Sequence, residues 1–78
     1  MNNIEKYNKA FIDIFNVKEK ELPKLTYQSV VLWDSIGHMG LITELESVFN
    51  IMVETDDIIN FNSYKKGFEI LKKYGIGL

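Results

Sequence analysis

No cysteine occurs among the 78 residues, which excludes disulfide frameworks, thiolate metal sites and cysteine nucleophiles and leaves the core to hydrophobic packing. Positive charge is not in excess either. Nine Lys and Arg against eleven Asp and Glu give a formal net charge of −2 and an isoelectric point near 5.3, a balance that does not suit a phosphate-binding surface, so no nucleic-acid partner is expected. No apolar run approaches the roughly 20 residues of a membrane span, and the opening Met-Asn-Asn-Ile-Glu-Lys has neither the basic nor the apolar region of a secretory signal. A cytoplasmic protein is the expectation. A chain this short builds one domain around one core and buries only about 60% or slightly more of its unfolded surface. It can hardly enclose a deep catalytic cleft, so carrier, binding or regulatory roles stand ahead of an enzyme.

Apolar residues are present in helical rhythm. Ile4, Tyr7, Phe11, Ile14 and Phe15 recur at three- and four-residue steps between Glu5, Lys6, Asn8, Lys9 and Asp13, which predicts an amphipathic helix from Ile4 to Phe15. A second pattern opens after Asp34 and runs through Ile36, Met39, Leu41, Ile42, Leu45, Val48 and Phe49 to Asn50, which tolerates a left-handed helix end. Thr55-Asp56-Asp57 signals a short helix that gives out near Asn60. Asn62 or Ser63 caps a last helix in which Tyr64, Phe68, Leu71 and Tyr74 share a face, with Lys72 and Lys73 in its last turn and Gly75 just beyond. The fold class expected is all-α, a small four-helix bundle with a short third helix. Lys18 to Trp33 is left as a connection much longer than the ~2–8 residues usual in bundles. Its Leu22, Leu25, Tyr27, Val30 and Leu32 are too apolar for a solvated linker and are expected to lie across the helices. Ser29 to Trp33 is β-prone, but a lone strand has no partner.

The residues that point to chemistry stand where that connection ends. In Leu32-Trp33-Asp34-Ser35-Ile36-Gly37, Ser35 falls in the first turn of the second helix, where backbone N–H groups lack intrahelical partners and an attached phosphate is favoured. Asp and Ser are also ordinary capping residues, so the pair alone says little. Its context says more. A small acidic domain with an amphipathic helix, a long apolar connection, Asp-Ser-Ile opening a second helix, a short third helix and an amphipathic fourth resembles the acyl carrier protein family over nearly its whole length. The likeness is tightest from Leu32 to Ile51, in Trp33-Asp34-Ser35-Ile36-Gly37-His38-Met39 and Leu41-Ile42-Thr43-Glu44-Leu45-Glu46.

The resemblance implies that Ser35 receives a 4′-phosphopantetheine arm from coenzyme A through a phosphopantetheinyl transferase. Asp34 would help present the serine and engage the transferase's magnesium. The chain would then carry an acyl or aminoacyl thioester, without catalysis of its own, between a loading ligase and acyl-transferring enzymes, as a monomer. Ile36, Gly37, His38, Gly40, Thr43, Glu46, Ser47 and Ile58 are the docking residues expected, and Met39, Ile42 and Phe61 the walls of an acyl pocket, although ordinary core packing explains those walls equally well. Fatty-acid carriers resemble one another in an acidic second helix. Here Gly37, Gly40 and Ser47 occupy positions often acidic in them, which implies different partners and a specialised pathway. Each glycine costs roughly 1 kcal/mol against alanine, so close approach of a partner, or mobility beside Ser35, is expected in return.

Other readings are weaker. Ser35 and His38 lie three apart on one helix, but no orienting third residue and no oxyanion hole accompany them, so a hydrolase ranks last and His38 is expected at a docking surface. Trp33 is expected to pin the end of the connection to the helices rather than to shape the entrance for the arm. Glu54, Asp56 and Asp57 suit a helix start, with no calcium loop, and the pairs Lys65-Lys66 and Lys72-Lys73 suit a solvated face. An aminoacyl or peptidyl carrier, and a helical interaction module without prosthetic group, are the alternatives.

Overall fold

Asn2 opens the first helix. In the computed structural model, which describes residues 1–78, its side chain accepts the Glu5 N–H at 2.9 Å while Glu5 accepts the Asn2 N–H at 3.1 Å, a reciprocal cap. Helix α1 (Asn3–Phe15) ends at Asn16, whose φ of 55° closes it in the left-handed conformation. α2 (Ser35–Phe49) starts on the Asp34 cap and ends at Asn50 in the same way, with φ 54°. α3 (Thr55–Asn60) is short, and α4 (Tyr64–Lys73) starts on Ser63, whose hydroxyl accepts the Lys66 N–H. The chain is all-helical and has no strands, and the α-helices lie where periodicity and capping residues place them.

The connection differs from expectation in two ways. It contains a 3₁₀ helix, Glu19–Lys24, that carries Pro23 and buries Leu22. Ser29 to Trp33, β-prone in composition, forms no strand, as expected of a segment without a partner, and turns instead, with Trp33 N–H on the Val30 carbonyl and Gln28 N–H on the Trp33 carbonyl. Only part of the segment is core: Leu22 and Leu25 are buried and Val30 half-buried, whereas Tyr27 and Leu32 are exposed. The coil is too tight to turn all five side chains inward.

The core is aromatic. Phe11 sits at its centre, with ring centroids at 4.8 Å from Tyr7, 5.3 Å from Tyr64, 5.6 Å from Trp33 and 5.8 Å from Phe15. Trp33 stacks on Phe15 at 4.8 Å and is fully buried. It thereby pins the end of the connection to α1. Such pairs contribute about 0.5–1.5 kcal/mol each beyond their burial. Further along, Thr26 forms an isolated bridge to Ser63, with Tyr27 N–H on the Asn62 carbonyl and Tyr64 N–H on the Leu25 carbonyl, so the connection also fixes the start of α4. Tyr7 donates to the Tyr64 carbonyl at 2.6 Å, and burial pushes its hydroxyl far above the usual phenol range.

Gly67 makes the approach of α4 to α1 possible, since a β-carbon there would overlap the Tyr7 hydroxyl and the Phe61 ring. Gly67→Ala is therefore expected to destabilise the chain by about 1–3 kcal/mol in denaturant unfolding. An unchanged midpoint would mean that the helices can part without loss.

α3 packs sparsely and depends on polar anchors. Asp57, buried on α3, accepts from Lys73 Nζ and from the Tyr74 hydroxyl, each at 2.6 Å, and the Tyr74 oxygen in turn accepts the Glu54 N–H. Lys73 first, and Tyr74 next, hold the Asp57 carboxyl below its ordinary range, and the same pairing holds Lys73 above its own. The lowered carboxyl contributes stability above the unfolded value of about 3.9 and loses it as pH falls through the folded one. Asp57→Asn should thus lower the melting temperature at neutral pH, with the gap from the parent chain closing below about pH 4. A gap independent of pH would remove the carboxylate from this role.

Candidate functional site

Ser35 is the first residue of α2 and is exposed. Asp34 sets its geometry: the Asp34 side chain accepts the Gly37 N–H at 2.8 Å and its carbonyl accepts the His38 N–H at 2.8 Å. The N–H groups of Ser35 and Ile36 have no acceptor within the chain. Two free backbone donors and the positive end of a fifteen-residue helix therefore lie at Ser35. This combination suits an anionic group on the serine oxygen.

A cleft of about 320 Å³ opens beside Ser35. Met39 and His38 of α2 form one side, Ile58 and Ile59 of α3 the other, and Tyr27, Phe61 and Asn62 close it. Phe61 is buried, whereas Met39 and Ile59 are largely exposed, so the cleft is apolar and open to solvent. Along the chain on both sides of Ser35 stand further exposed apolar side chains. Ile36 is 82% and Val31 93% exposed, and Leu32 is half exposed. Exposed apolar residues this close in sequence to a single hydroxyl suit a contact surface.

His38 bridges three elements. Trp33 Nε1–H donates to His38 Nδ1 at 3.0 Å, and His38 Nε2 lies 2.7 Å from the Ile58 carbonyl oxygen. An indole N–H can only donate and a carbonyl can only accept, so the ring is the neutral tautomer protonated on Nε2. Neither nitrogen is left for the Ser35 hydroxyl, and no Ser-His pair exists here. The ring is half-buried and engaged from both sides rather than displayed for docking.

The other expected site residues divide. Met39 and Phe61 line the cleft with Ser35, and so does Ile58, expected as a docking residue. Ile42 does not: it is 1% exposed and packs into the core with Leu41 and Leu45. Thr43 and Ser47 are exposed along α2, while Glu46 accepts the Val53 N–H at 2.9 Å and so ties the end of α2 to the segment after it. Tyr27, Ile59 and Asn62 were outside the expected set. Tyr27 had a signal, an aromatic in an apolar connection, but its expected place was the core. The carboxylates of Glu54, Asp56 and Asp57 form no group of three or more metal-binding side chains. No helix is long and apolar enough to cross a membrane. No family model matches the chain, and neither a curated protein nor a solved structure does.

The two glycines of α2 have different causes. A β-carbon on Gly37 would overlap the Leu32 carbonyl and crowd the Phe15 ring, so the close approach there is made by the chain's own connection and not by a partner. At Gly40 the nearest atom to such a carbon is Ile14 Cγ2 at 3.9 Å, an ordinary contact. Gly40→Ala should raise stability by up to about 1 kcal/mol, whereas Gly37→Ala should lower it by about 1–3 kcal/mol. Thermal unfolding of both variants checks this, and a stabilised Gly37→Ala chain would contradict the packing argument.

Proposed function

We propose that the chain is a carrier protein, a four-helix bundle of the acyl carrier type, that bears a 4′-phosphopantetheine arm on Ser35 and hands its acyl or aminoacyl cargo between enzymes. The observation that carries this reading is the exposed Ser35 at the start of α2, with two unpartnered backbone N–H groups beside it and an apolar cleft next to it. These features fit a phosphodiester on the serine oxygen, since the Asp34 carboxylate is turned into the cap and leaves the donors to the phosphate. When bound, the arm supplies a terminal thiol for thioester formation.

The chain's own residues do the rest. Asp34 fixes the helix start and leaves Ser35 outward, where a transferase can supply the activating base and metal that an isolated serine lacks. Tethering raises the effective concentration of the cargo at each enzyme the carrier meets. The cleft walls, Met39, Ile58, Ile59 and Phe61, offer an apolar cargo shelter from water. Apart from the Asp34 carboxylate, which is turned into the cap, the exposed side of α2 beyond Ser35 is uncharged, with Ile36, Met39, Thr43 and Ser47 along it. Partners are therefore selected by apolar fit more than by opposite charge, which supports a specialised pathway with its own loading ligase and acyl-transferring enzymes.

The exposed Val31, Leu32 and Ile36 favour a second reading, a helical interaction module in which Asp34 and Ser35 are only a cap. Intact mass separates the two. Incubated with coenzyme A, magnesium and a broad-specificity phosphopantetheinyl transferase, the chain should gain the mass of one arm, and Ser35→Ala should gain none. No added mass, or an arm retained by Ser35→Ala, would favour the interaction module.

A further inference from the structure

The Trp33–His38–Ile58 relay joins the connection, α2 and α3 across one edge of the cleft, and its two hydrogen bonds together require the neutral ring. The Trp33 indole is fully buried, and His38 Nδ1 is its acceptor. The Ile58 carbonyl belongs to the end of α3, where it accepts the Phe61 N–H at a long 3.4 Å and has a second lone pair free for the closer His38 Nε2 at 2.7 Å. His38 thus satisfies a buried donor with one nitrogen and donates the shorter bond to the Ile58 carbonyl with the other. A second proton on the ring would place two N–H groups against each other at a 3.0 Å separation and leave the indole without an acceptor.

Nothing around the ring compensates for such a charge. From the connection, Tyr27 presents its ring with centroids 5.6 Å apart and edge on. On α2 the Asp34 carboxylate is turned to Gly37, and on α3 Asp57 is held by Lys73 and Tyr74 while Glu54 and Asp56 are exposed. No carboxylate bonds to either ring nitrogen.

We propose that His38 is a positioning residue and a pH-sensitive latch: its neutral ring holds α3 against α2 and the connection, and a second proton releases that edge of the cleft beside Ser35. The latch stands on the ring geometry alone; only its effect on cargo rests on the carrier reading.

Trp33 is the one tryptophan and His38 the one histidine, so each gives a single assignable signal in a ¹⁵N-labelled full chain. On acidification from neutral pH, the protection factor of the Trp33 indole N–H, taken against the exchange of an unprotected indole at the same pH, should fall about tenfold, the change expected from one lost hydrogen bond. The Ile58 and Ile59 amides should shift with the same midpoint as the His38 ring, and far-UV helicity should hold. His38→Gln, whose amide offers both an acceptor and a donor, should keep the indole protected and respond little to pH. His38→Leu should lose that protection at every pH. An indole unmoved through the ring titration, a His38→Gln chain that titrates like the parent, or helicity lost at that midpoint would each overturn the latch. If His38→Leu does not fold, the parent and His38→Gln titrations decide alone. With an octanoyl thioester on the Ser35 arm, hydroxylamine should cleave the His38→Leu cargo faster than the parent's, and equal rates would overturn control of the cleft. A chain that accepts no arm but shows the indole response would sink the carrier reading and keep the latch.

Discussion

The burial of Trp33 between the aromatic face of α1 and the imidazole of His38 is the interaction on which the rest of the molecule depends. Stacking on Phe15 and meeting Phe11 edge on, the indole brings the end of the long connection down onto α1. The next residue is the cap of α2 and the one after it is Ser35. The place and exposure of the serine are therefore set by how a neighbouring side chain packs. Truncating a fully buried aromatic of this size costs about 3–5 kcal/mol, a large share of the stability of so small a domain.

Where α1 and α2 are held by hydrophobic area, α3 is held by polar groups at both of its flanks. Asp57 reaches α4 through Lys73 and Tyr74, and the Ile58 carbonyl reaches α2 through His38. Hydrogen bonds of this kind contribute little each but are directional, so they specify where a short helix sits without gluing it down. Elements with few buried apolar contacts open at lower free energy than the core around them. The α3 wall of the cleft is therefore its more easily opened side.

Much of this was legible in the sequence, and the exceptions have physical causes. Asp34, Asn50 and Ser63 marked helix ends because capping chemistry is local, and α1 and α4 declared their inner faces because their outer faces are charged. α2 did not. Ile36, Met39, Ile42 and Leu45 are all apolar, so periodicity alone could not tell that Ile42 packs inward while Ile36 and Met39 face solvent and the cleft. The 3₁₀ helix around Pro23 is too short for a period to emerge. Gly37 read as an invitation to a partner because the Leu32 carbonyl that needs the space lies on a turn that only the folded connection creates. His38 read as a surface residue for the same reason, since its two acceptor and donor partners come from other elements.

The backbone tie between the connection and the start of α4 bears on how the chain reaches this structure. Leu25 pairs with Tyr64, and Tyr27 with Asn62, across about forty residues of intervening chain, and closing a loop of that length carries a length-dependent entropy of roughly 3 kcal/mol. The Ser63 cap sets the first turn of α4 locally, but its place against the rest of the chain depends on this closure. The same two backbone bonds draw in the connection that leads to Ser35, so order at the approach to the serine and at the origin of α4 share one entropic cost.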